Sequence, residues 1–170
     1  MEGNTTKIED GALIITRTFN APREQVWKMF TEVDEVKKWW GPKKFTAPHI
    51  TIDFKEGGKY LYCMHGEEGL PEEMVGKDFW STGTYQEIVP MEKLVMTDSF
   101  SDKDGKVISG AEYGMPEMPM ELLVTITFED APDGKTKMTL THVGFPPSEI
   151  ATQTGAGWNE SFDKIDTLLA

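Results

Sequence analysis

Basic charge, cysteine and long apolar runs are all scarce in this sequence. Its 170 residues carry 17 Lys and Arg against 29 Asp and Glu, a formal charge of -12. A protein that grips a phosphate backbone needs basic side chains to displace counterions, so nucleic acid is not an expected partner. The single cysteine, Cys63, leaves no intrachain disulfide. No apolar stretch approaches the roughly 20 residues that span a bilayer. The opening MEGNTTKIEDG lacks the basic-then-apolar pattern of a signal peptide, and the expected location is cytoplasmic. There is no internal repeat and no phosphate-binding glycine loop; Gly155-Ala156-Gly157 reads only as the lead into a helix. His49, His65 and His142 show no metal-ligand spacing, and the acidic stretches lack the register of a calcium loop, so neither metal nor cofactor is expected.

What the sequence does hold is aromatic. Five Trp, nine Phe and four Tyr within 38% hydrophobic residues suffice for one folded domain. The charge is unevenly spread. Between Pro22 and Lys44, Arg23, Lys28, Lys37, Lys38, Lys43 and Lys44 outnumber Glu24, Glu32, Asp34 and Glu35, leaving -14 on the remainder. Residues 67–78 and 98–117 are acidic and rich in Gly or Pro, which predicts long loops.

The β-branched run Ala12–Phe19 predicts a first strand after a tail over residues 1–11. Asn20-Ala21-Pro22 is a helix-start signal, and Val26, Phe30 and Val33 follow at helical spacing. A second short helix is predicted over Asp34–Trp40, stopped by Gly41-Pro42. Alternation of Ile50, Ile52 and Phe54, a Gly57-Gly58 turn and then Tyr60, Tyr62 and Met64 predict a hairpin. Further strands are predicted at Phe79–Ile88, Lys93–Phe100, Glu121–Glu129 and Lys137–Phe145. Trp158, Phe162, Ile165 and Leu169 form the apolar stripe of a long final helix. The predicted class is α+β: a curved antiparallel sheet of seven strands wrapped around that helix, with two short helices between the first and second strands, over residues 12–170.

Several segments carry a family likeness. Phe19-Asn20-Ala21-Pro22 with Val26-Trp27 resembles the opening of the START/Bet v 1-like (SRPBCC) superfamily. Trp39-Trp40-Gly41-Pro42, Gly57-Gly58-Lys59-Tyr60, Asp78-Phe79-Trp80, Gly83-Thr84-Tyr85-Gln86-Glu87-Ile88, Lys135–His142 and Gly157–Lys164 are together similar to the branch named after the activator of Hsp90 ATPase. The resemblance runs from about Leu13 to the C-terminus. It implies a helix-grip fold with a cavity between sheet and final helix, where superfamily members bind lipids, sterols, polyketides or aromatic molecules. The namesake co-chaperones carry an additional N-terminal domain, whereas the first predicted strand here begins at Ala12.

Strand parity and the helix stripe point Trp40, Tyr60, Tyr62, Met64, Met96, Phe100, Trp158 and Phe162 inward as candidate ligand-binding residues. For any one of them core filling is the commoner role, since aromatic side chains dominate cores, but Tyr60 and Tyr62 lean toward function because a buried hydroxyl needs a partner. Asp98, in step with Leu94 and Met96, and His142, in step with Met138 and Leu140, share the inward face as a candidate acid/base pair, provided no β-bulge turns either outward. Cys63 and His65 share the opposite face at a separation too long for a nucleophile and its base, so Cys63 reads as structural. Three functions stay open. One is binding of a hydrophobic or aromatic small molecule; another is a cyclase or hydrolase using His142 with Asp98. The third is a chaperone-type interaction module using the lysine-flanked Trp39-Trp40 or the Met115–Met120 segment, which a cavity too small for a ligand would favour. Monomer and homodimer are both compatible with the sequence.

Overall fold

The computed structural model describes residues 3–170. Along the chain run β1 (Thr5–Glu9), β2 (Ala12–Phe19), α1 (Arg23–Thr31), α2 (Val33–Val36), β3 (Phe45–Thr46), β4 (Ile50–Ile52) and β5 (Lys59–Gly66). They are followed by β6 (Asp78–Val89), β7 (Lys93–Ser101), β8 (Leu122–Ala131), β9 (Lys135–Val143) and α3 (Ile150–Leu168). Among the described residues the strands form one antiparallel sheet in the order β1-β2-β9-β8-β7-β6-β5-β3, with β4 also paired to β5. The sheet curves around α3, which is the predicted helix grip.

The sheet has nine strands rather than seven. The tail expected over residues 1–11 contributes β1, joined to β2 by Asp10-Gly11 with both φ angles positive, the twist-matched hairpin turn that Asp-Gly favours. Every residue of β1 is exposed, so no apolar alternation betrays it. β3 is only two residues long. The second helix is also shorter than predicted: α2 ends at Val36, and the chain reaches Trp40 through turns. Phe54 lies beyond the end of β4 and packs edge-on against Trp27 and Tyr85. Gly155-Ala156-Gly157 falls inside α3, where Gly155 is buried beside Leu13 of β2. The second acidic stretch begins within β7, not in a loop.

The core follows the predicted faces. On β8, Leu122, Val124, Ile126 and Phe128 are buried in alternation. Phe30 of α1 links two sets of rings: Trp27 and Phe128 on one side, Trp39 and Phe162 on the other. On β2 the buried residues are Leu13, Ile15, Arg17 and Phe19. Arg17 therefore places a guanidinium where the strand pattern calls for an apolar group. It is 6% exposed and reaches across to α3, donating to Asp163 (2.8 Å), Asp166 and Asn159. Those three residues lie at i, i+4 and i+7, one face of the helix.

Removing one partner of a buried ion pair costs about 3–5 kcal/mol, but exposed partners lower that figure, and Asp163 is 68% exposed. Arg17→Ala is accordingly expected to lower unfolding stability by about 2–3 kcal/mol, and Asp163→Asn by less than about 1 kcal/mol. Urea denaturation checks both; equal small losses would show that the pair does not hold α3.

Candidate functional site

Between α3 and the inner face of the sheet lies a cavity of about 30 Å³, lined by Phe30, Trp39, Trp40, Tyr60, Tyr62, Met96, Asp98, Val124, Ile126 and Trp158. Room for one water takes about 10–15 Å³, so the space holds two or three at most.

Each wall is set by local structure. The turn after α2 delivers Trp40, whose ring centroid lies 4.6 Å from that of Tyr62 and 5.5 Å from that of Trp158. Lys164 of α3 ties this turn down, donating to the Gly41 carbonyl (2.8 Å) and the Phe45 carbonyl (2.9 Å). Burial lowers the Lys164 pKa, and Glu160 partly offsets this. Tyr60 lies over Gly83, where a Cβ would come within 2.6 Å of its ring, and donates from its hydroxyl to the Thr97 carbonyl at 2.6 Å. The ladder between β6 and β7 is interrupted here. The Thr84 N–H turns to the Thr97 side-chain oxygen (2.9 Å), leaving the Thr97 carbonyl to Tyr60. The Tyr60 hydroxyl thus has a structural partner. Tyr85 brings its hydroxyl toward that of Tyr62 without a well-aligned hydrogen bond.

Strand parity holds for the two polar candidates, because β7 and β9 pair with β8 without a bulge. His142 is 3% exposed, and Asp98 is 25% exposed on the cavity wall. The Trp158 indole N–H donates to His142 Nδ1 at 3.2 Å, which assigns the ring proton to Nε2. Nε2 stands 3.0 Å from Asp98 Oδ2, yet its N–H is not aligned on that oxygen, so the contact is a close approach rather than a formed hydrogen bond.

Of the sequence candidates, Trp40, Tyr60, Tyr62, Met96, Trp158 and Asp98 meet at the cavity. Four do not line it, His142 among them, since it reaches the wall only through its contacts with Asp98 and Trp158. Phe162 is fully buried in the core, stacked on Trp158. Phe100 has the right parity but lies further along β7 and packs on Tyr113. Met64 is opposite Phe79 and beside Gly41, also past the cavity's end. Parity gives a residue's face, not its position along the strand, and that accounts for both misplacements. Phe30, Trp39, Val124 and Ile126 line the cavity without being sequence candidates; the apolar patterns of α1 and β8 carry them, but only as core. Cys63 is buried on the other face, its thiol pushed up to about 12 by burial and by the Asp78 charge, and is no nucleophile. Among the described residues no three His, Cys, Asp or Glu side chains converge as metal ligands. Nor does any described helix have the length and apolarity to cross a membrane.

The sequence model of the activator of Hsp90 ATPase homolog 1-like protein family matches residues 20–170. Among solved structures the chain is similar to protein Ms6760 from Mycobacterium smegmatis, with 22% identity, a TM-score of 0.76, and coverage of 98% of this chain and 97% of that one. It is also similar to protein CV1439 from Chromobacterium violaceum (22% identity, TM-score 0.74, coverage 95% and 98%). A third likeness is to the AHSA1 protein from Silicibacter pomeroyi (20% identity, TM-score 0.70, coverage 93% and 96%). At these identities the likeness is one of fold. No curated protein matches the sequence.

Burial, and for Tyr60 the Asp98 charge next, raises the Tyr60 and Tyr62 pKa values well above 10.0; burial pushes Tyr85 up to about 12. A raised folded-state pKa gives stability that is complete below the unfolded value and lost as pH rises toward the folded one. Stability should therefore fall from about pH 10 upward. Tyrosinate absorbance should emerge together with unfolding; full ionisation of folded protein at pH 10 would contradict these burial assignments.

Proposed function

The chain belongs to the activator of Hsp90 ATPase homolog 1-like family, and from that footing we propose that it binds a hydrophobic or aromatic small molecule in the cavity between the sheet and α3. The supporting observation is a ring-walled cavity with one carboxylate, Asp98, on its surface. Sites for small molecules have this make-up of apolar walls and few polar groups. The cavity of about 30 Å³ is far below the roughly 300–1,000 Å³ of a drug-sized site. Binding therefore requires side chains to move, and Trp40 and Trp158 are only partly buried against the core. Binding is favoured over turnover: Trp158 occupies Nδ1 of His142, and the Nε2 proton is not aligned on Asp98, so neither nitrogen stands ready as a base. A cytoplasmic location accords with this reading.

The small volume also favours a second reading, a chaperone-type interaction module whose cavity is packing. Its surface would be the exposed Lys37, Lys38, Lys43 and Lys44 around the Trp39-Trp40 turn.

Titration with the neutral dye N-phenyl-1-naphthylamine separates the two. Saturable binding that weakens at least about tenfold in the cavity-filling variant Val124→Phe is expected for a ligand site. No binding, combined with loss of a captured protein partner on reversing the four lysine charges, would favour the module.

A further inference from the structure

We propose that the cavity selects a ligand bearing an organic ammonium group, seated among the Trp40, Tyr62 and Trp158 rings against the Asp98 carboxylate. This deepens the binding reading above and rests on it.

Charge decides the sign of the ligand. Among the described residues Asp98 is the only charged one on the wall. Its carboxylate receives no aligned hydrogen bond from any described residue, and its neighbour His142 offers a misdirected N–H. Asp98 is 25% exposed and faces an aromatic wall, so a cation entering the cavity would meet a carboxylate and ring faces together. The cations on α3's side of the cavity are already engaged. Arg17 is held by Asp163 and Asp166, and Lys164 by two backbone carbonyls. Both are thus committed elsewhere, and a cation entering from outside would meet the Asp98 carboxylate without displacing either.

Ring geometry and size narrow the class. Trp40 stands at 82° to Trp158 and at 59° to Tyr62, so the rings form adjoining walls rather than a stack. Aromatic walls attract a cation through their quadrupoles, and a methylated ammonium suits them because its charge is spread over apolar methyl groups. Since the space of about 30 Å³ must widen for any ligand, a compact head asks for less movement of the rings than a lipid chain. A second depression of about 20 Å³, formed by Ser99, Phe100, Met118 and Leu122, shares Asp98 with the cavity. A tail attached to the head would extend toward that side, beside Met118.

Choline and its neutral isostere 3,3-dimethylbutan-1-ol have the same shape and differ in charge, so calorimetric titration of both tests the proposal. Choline is expected to bind at least about tenfold more tightly. Asp98→Asn should close that gap, while Asp98→Glu keeps part of it. Equal affinities, tighter binding of the alcohol, or a gap that survives Asp98→Asn would overturn the ammonium proposal and leave the binding reading intact. The ammonium proposal alone also fails if neither molecule binds while N-phenyl-1-naphthylamine does. If none of the three binds, both readings fail. Should Asp98→Asn not fold, the wild-type preference decides.

Discussion

The Arg17 clamp is the contact on which the rest of the structure depends. A helix lying across a curved sheet must be held at one height and one rotation, or the space beneath it has no fixed shape. Apolar packing holds α3 close to the sheet, through Phe162 and Ile165, but is tolerant of small slides. A buried guanidinium with a fixed fork of donors is not. By engaging Asn159, Asp163 and Asp166 from one strand position, Arg17 sets how α3 sits on β2. The arrangement joins elements separated by nearly the whole sequence.

The cavity inherits its form from that placement. Trp158 is one residue before Asn159, so the clamp that fixes the helix also fixes the indole that bonds to His142. Seven residues from Trp158 lies Ile165, buried in the core, and between them Lys164 holds the turn that carries Trp40. Of the Trp40, Trp158 and Tyr62 rings that meet on one side of the cavity, two are thus positioned from α3. The third, Tyr62, comes from β5, whose neighbour Tyr60 is locked by the opened ladder at Thr97. The site is therefore a seam between one helix and one sheet, and its volume responds to any movement of α3.

Much of this is legible in the sequence, and the failures have physical causes. The long strands and α3 announce themselves through apolar periodicity, and the family resemblance fixes their assembly. β1 is a polar edge strand whose only signal is Asp10-Gly11, and β3 is too short to show a pattern. Asp98 and His142 can be placed from sequence because parity survives unbroken along β7 and β9. Met64 and Phe100 are misplaced because parity is silent on how far a strand extends past the helix. Arg17 is visible as a basic residue in step with Leu13, Ile15 and Phe19, but its partners lie more than 140 residues away and no local rule connects them. The cavity's small volume depends on how rings of separate elements meet, which no local pattern encodes.

The central claim is that a small molecule enters between the sheet and α3 by moving the rings there. Fluorine NMR of protein labelled with 5-fluorotryptophan reads this directly, because the five Trp residues sample different places. Trp39, Trp40 and Trp158 line the cavity, Trp27 packs on Phe54 and Phe128, and Trp80 stacks on His49. On adding a bound probe, shifts are expected for the three cavity resonances and none for Trp27 and Trp80. Shifts confined to Trp80 or Trp27, with the cavity resonances unmoved, would contradict the claim.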